Sequence, residues 1–180
     1  KISTKEIKIK DLISLARAVE GSPQLFVLDS ITKEGILSAN INLKFDLNGE
    51  IKKNYQINGT INKAKFNIFN QVEIDNLNLS FNISNNQLTL SKIETDLNSI
   101  KLKSPLIKIE EKKNIFFING KVINDQQNFD INKLKPMLGD LLNNIEIEKI
   151  DFNSVNTFSF NVNKKLKLND LKLETNLNLE

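Results

Sequence analysis

The stretch "VEIDNLNLSFNISNNQLTL", Val72 to Leu90, alternates almost without interruption. Val72 and Ile74 are spaced by acids. Leu77, Leu79, Phe81 and Ile83 are spaced by Asn and Ser. After the polar "SNNQ", Leu88 and Leu90 resume the pattern. A period of two places one greasy row and one wet row on opposite faces of a strand. The segment therefore predicts two antiparallel strands joined by a tight turn. One detail breaks the weave. Between Ile74 and Leu77 stand two polar residues, Asp75 and Asn76, where one is expected. A bulge there would keep the greasy side on the same face. The same slip occurs at Ser91-Lys92 and at Asn169-Asp170.

The alternation extends in both directions. Upstream lie Leu37, Ala39, Ile41, Leu43, Phe45 and Leu47, then Tyr55, Ile57, Gly59 and Ile61. Downstream lie Ile100 and Leu102, Ile107 and Ile109, and "NIFFINGKVI" after the charged turn "EEKKN" at Glu110 to Asn114. Near the end come Ile145 and Ile147, then Phe158, Phe160 and Val162, then Leu166, Leu168, Leu171, Leu173, Leu177 and Leu179. This predicts about ten strands separated by Asn, Asp, Gly, Ser and Lys turns. Two segments carry helical spacing. "DLISLARAVEG" presents Leu12, Leu15, Ala16 and Val19, with Ile13 and Ala18 beside them, Asp11 as a cap and Gly21 and Pro23 as the stop. "DINKLKPMLGDLLNN" presents Leu134, Met137, Leu138, Leu141 and Leu142, a helix over Lys133 to Leu142 with Asp130 or Asn132 as its cap. The expected fold is mainly β, an antiparallel meander curled into an elongated groove or closed as a sandwich, with two short helices.

An internal repeat is visible at about 34–109 and 114–180. "QINGTI" at Gln56 matches "FINGKV" at Phe117, and "SFNI" at Ser80 matches "SFNV" at Ser159. "ETDLN" at Glu94 matches "ETNLN" at Glu174. The 180 residues read as one domain, or as a segment of a longer protein.

Composition narrows the function. There is no His and no Cys. Ser-His-Asp and Cys-His catalysis and the common zinc sites are thereby excluded. Glu110-Glu111 beside Lys112-Lys113 reads as a solvated turn. Asp125 and Asp130 lack calcium-loop spacing and read as loop and helix cap. No Gly-rich phosphate loop occurs. The expectation is a non-enzyme without cofactor or metal. Charge is close to balanced, a formal +3 with Lys and Glu interspersed, and Arg17 is the one arginine. Nucleic-acid binders concentrate basic residues, so none is expected as a partner.

The motifs resemble the AsmA-like superfamily of Gram-negative envelope proteins, YhdP and TamB among them. The likeness rests on Gly35 at a strand start, "NGTI" at Asn58 to Ile61, and the pattern from Ile74 to Leu90. The lead-in "LISLARAV" looks most like the YhdP branch. This resemblance implies a periplasmic segment of an inner-membrane-anchored protein, the anchor lying outside these residues. It implies a β-groove that binds phospholipid or another acyl lipid and conducts it toward the outer membrane. The groove candidates are Leu37, Ile41, Leu43, Phe45, Ile57, Leu77, Leu79, Phe81, Ile83, Leu88, Leu90, Phe158, Phe160, Leu166 and Leu168. Read from the residues alone, the same stripe is more safely taken as the sealed core of a structural or adhesive β-module, since most apolar stripes are core.

Overall fold

A computed structural model describes residues 2–19, 22–49, 55–68, 72–130, 132, 149–163 and 167–179. Short strands β1 (Ile2–Ser3) and β2 (Ile7–Lys8) lead into helices α1 (Ile9–Val19) and α2 (Pro23–Ile31). Eight long strands follow: β3 (Thr32–Asn42), β4 (Gln56–Ile68), β5 (Val72–Ser84), β6 (Gln87–Leu97), β7 (Ile100–Lys112), β8 (Ile115–Asp130), β9 (Lys149–Asn163) and β10 (Leu168–Leu179). All ten belong to one antiparallel sheet in the order β1-β3-β4-β5-β6-β7-β8-β9-β10, with β2 also on β3. It is a meander with β1 and β10 at the ends of the strand order, and it does not close into a barrel. Among the described residues, extensive strand contacts run between ladder neighbours, and no second sheet lies across the first.

Tight turns set the register. Asn98-Ser99 and Lys113-Asn114 each place two consecutive residues at positive φ, the geometry of the two-residue hairpin whose twist matches its strands. Asn85 also has positive φ in the β5–β6 turn. The three anticipated bulges form where the alternation slips. Asn76, Lys92 and Asp170 have φ of 52°, 52° and 53°. Around each, one strand spends three residues where its neighbour spends two. A fourth, at Lys63 (φ 49°), obeys the same rule in "INKAKF".

Because register shifts coincide with phase slips, the apolar residues stay on one side. Ile2, Ile41, Ile57, Ile83, Leu88, Ile109, Ile118 and Phe160 form an unbroken cross-strand row. At the usual strand spacing that row is about 33 Å long. Beside it runs Ala39, Gly59, Phe81, Leu90, Ile107, Gly120, Phe158 and Leu173. A third row, Ile7, Leu37, Ile61 and Leu79, covers the first strands.

Among the described residues, the helices cover one end of this face. Ile9 and Ile13 of α1 are buried with Ala64, and Leu37, Ile61, Phe66 and Leu77 pack around them. The buried stripe of α1 differs from the expected one. Leu15 and Val19 are 64% and 84% exposed. Asp11 lies within the first turn and favours the positive helix end rather than capping it. Pro23 does not end the helical region. Ser22 caps a second helix, its Oγ accepting from the Leu25 N–H, and Pro23 occupies the first turn of α2. Arg17 ties the pair together through Asp29 and lies 3.9 Å from the centre of the Phe26 ring. Asp125 and Asp130 fall within β8 rather than in a loop, although Asp130 Oδ1 still accepts from the Asn132 N–H at 2.9 Å. The helix expected over Lys133 to Leu142, and Ile145 and Ile147, lie outside the described residues.

Candidate functional site

The site is the greasy face itself, and its floor is shaped by two glycines. A side chain at Gly59 would meet Phe81 Cζ at 2.8 Å, and one at Gly120 would meet Phe158 Cζ at 2.8 Å. Each phenylalanine stands directly opposite its glycine and lies across it. A ring over a glycine replaces the contacts that the missing side chain leaves open. Phe158 also stacks on Phe160, with ring centres 5.9 Å apart. In the sequence repeat "SFN" aligns Phe81 with Phe160, whereas by geometry the glycine partner in the second half is Phe158.

Beyond Gly120 the face opens. A cleft of about 610 Å³ is lined by Leu106 of β7, Gly120 of β8, Phe158 of β9 and Leu173 of β10. Four successive strands line one cleft, so the sheet curves inward there. Such a volume is in the range of small-molecule pockets.

Of the candidates, Leu37, Ile41, Ile57, Leu77, Leu79, Phe81, Ile83, Leu88, Leu90, Phe158 and Phe160 share this face. Leu79 is 8% exposed, and the others are half-buried. Leu168 stands opposite Val162 near the β10 edge and is half-exposed. Leu43 and Phe45 lie past the end of β3, because the ladder with β4 stops at Asn42, and Phe45 is exposed. Leu166 lies outside the described residues. Ile107, Ile109, Ile118, Leu173 and the two glycines belong to the same rows and were not among the candidates. Their signal was present in the paired "NG" and "SFN" motifs, since a glycine inside a strand marks a close approach.

The apolar rows give way to polar ones toward the far ends of β8 and β9. Leu102, Asn124, Ser154 and Leu177 stand in one row. Asn124, Ser154 and nearby Ser104 are buried. Asn156 Nδ2 donates to Ser154 Oγ at 3.0 Å, and Thr175 Oγ1 donates to Asn156 Oδ1 at 2.9 Å. The opposite face carries charges. Lys65 Nζ bridges Glu73 at 2.7 Å and Asp75 at 2.9 Å. Hydrogen bonds to these two carboxylates raise its pKa well above the ordinary lysine value. Among the described residues no group of His, Cys, Asp and Glu is placed to hold a metal ion, and no helix is long and apolar enough to cross a membrane. No family model, no curated protein and no solved structure matches the chain.

Proposed function

We propose that this chain is a segment of an envelope lipid-handling protein, whose apolar β-groove binds acyl chains and supports phospholipid transport between inner and outer membranes. The observation that carries the reading is the mismatch between apolar face and cover. Two greasy rows each cross eight strands, and α1 packs only on the end formed by β3 to β5. Apolar area of that extent, left half-exposed, marks a binding surface. Its shape suits a long, flexible hydrocarbon: a continuous trough with little along it to hydrogen-bond, wider at Gly120. The envelope setting, the phospholipid and the direction of movement rest on the AsmA-like resemblance. The protein acts here by binding, without catalysis, cofactor or nucleic acid.

The test is photo-crosslinking from position 81 and from position 158, with native mass spectrometry of the purified chain. Phospholipid adducts at both positions are expected. Phe81→Asp should keep the fold while reducing lipid capture, because a carboxylate in an open trough stays hydrated. Absence of lipid together with unfolding of Phe81→Asp would instead indicate a sealed structural module.

A further inference from the structure

We propose that Asn124, with Ser104 and Ser154 beside it, hydrogen-bonds a hydroxyl group at the polar end of an acyl lipid whose chain lies along the apolar rows. The inference rests on the acyl-groove reading and adds to it the chemistry of the ligand's other end. Gly120, Val122 and Asn124 stand opposite Phe158, Asn156 and Ser154 with no register shift between them. Asn124, Ser154 and Asn156 therefore share the greasy side with Phe158. On β7, Ser104 stands opposite buried Ile93 and two residues from Leu102, the cross-strand partner of Asn124. Ser104, Asn124 and Ser154 are 4%, 7% and 7% exposed. Yet Ser104 Oγ and Asn124 Oδ1 have no hydrogen-bond partner. Buried polar atoms are nearly always paired, because an unpaired one has lost its water and gained nothing in return.

A hydrogen-bonded run leads from the surface toward these atoms. Exposed Thr175 donates to Asn156 Oδ1 at 2.9 Å, and Asn156 Nδ2 donates to Ser154 Oγ at 3.0 Å. Ser154 is the direct cross-strand partner of Asn124, but the run stops there, one residue short of Asn124 Oδ1. An amide oxygen can only accept, so the group that completes the run must bring a donor. Ester carbonyls and phosphodiester oxygens bring none. A hydroxyl brings one, and its own oxygen can accept from the Ser154 or Ser104 hydroxyl. The charged neighbours Lys103, Lys121 and Asp125 alternate onto the other face, so the group recognised here is neutral. Asn124 lies four residues along β8 from Gly120, about 13 Å at the usual rise. One lipid can therefore lay its chain beside Phe158 and bring its hydroxyl end to Asn124.

Native mass spectrometry of the 180-residue chain, offered mono-oleoylglycerol and methyl oleate in equal amounts, tests this. The two ligands share one acyl chain and one ester, and the first alone carries hydroxyls. The parent should retain mono-oleoylglycerol about tenfold over methyl oleate. Asn124→Leu, of similar size, should lose that preference while still holding methyl oleate, with a thermal melt confirming its fold. Ser104→Ala, which removes a single oxygen atom, should also lower the preference, and it decides the matter if Asn124→Leu does not fold. Equal retention of the two ligands by the parent, or a preference that survives both substitutions, overturns the proposal and leaves the buried oxygens to internal water alone. Retention of neither ligand overturns the acyl-groove reading as well.

Discussion

Gly59 and Gly120 occupy equivalent places in the ladder, yet an added methyl would meet different obstacles. At Gly59 it would meet the Ser38 carbonyl oxygen at 2.1 Å, and backbone cannot step aside. At Gly120 the two nearest atoms, Phe158 Cζ at 2.8 Å and Ile107 Cγ1 at 2.9 Å, are on side chains that can turn, and the nearest backbone atom, the Leu106 carbonyl oxygen, is at 3.2 Å and needs to give by only a few tenths of an ångström. Gly59→Ala should therefore cost about 3 kcal/mol in urea unfolding, and Gly120→Ala about 1 kcal/mol. Equal losses would contradict this assignment. Lys65 provides a pH test. Its pKa is raised in the folded state, so its stabilisation is complete below the ordinary value of 10.5 and is lost as pH climbs through the higher folded value. Thermal midpoints should fall above pH 10.5 in the parent, and part of that fall should vanish in Lys65→Met.

At the scale of elements, the bulges put ordinary residues where the backbone turns left-handed. Asn and Asp tolerate that conformation, and Lys gains nothing from it. Lys92→Gly should raise the thermal midpoint by about 0.5 kcal/mol of stability, because relief of strain outweighs the freer unfolded chain. Asn76→Val should lower stability by about 2 kcal/mol, since a β-branched side chain fits that region poorly. A melt showing Asn76→Val unchanged would argue against the bulge. These kinks were legible because doubled polar residues in a strict alternation have one economical explanation. The helical region was less legible. Ser22-Pro23 serves equally as an end and as a beginning, and the choice depends on whether the next segment finds a helix to lean on, here through Arg17 and Asp29. The buried stripe of α1 was hidden for a related reason. Ile9 and Ile13 are four apart and so are Leu15 and Val19. Only the position of Ala64, small enough to admit a helix, decides which pair turns inward.

Over the whole molecule, the sealed end and the open trough should respond differently to the same insult. Ile13→Asp places a charge in the cluster with Ile9 and Ala64 and should cost on the order of 4 kcal/mol. Phe81→Asp should cost markedly less, as melts of the two variants can establish. The apolar face was readable from alternation, but the shape of its floor was not, because that depends on glycines acting across strands. The meander has a further consequence, for the order in which the chain folds. Each long strand docks on the one made just before it, so the sheet can grow by accretion, hairpin by hairpin, with little sequence between partners. Such local wiring favours rapid folding. Two connections are longer: residues 43–55 separate β3 from β4, and residues 131–148 separate β8 from β9, where bringing the partners together costs the most entropy. Folding should therefore pause at that junction. Pulse-labelling hydrogen exchange should find β4 to β7 protected first, and β9 and β10 joining later as a pair.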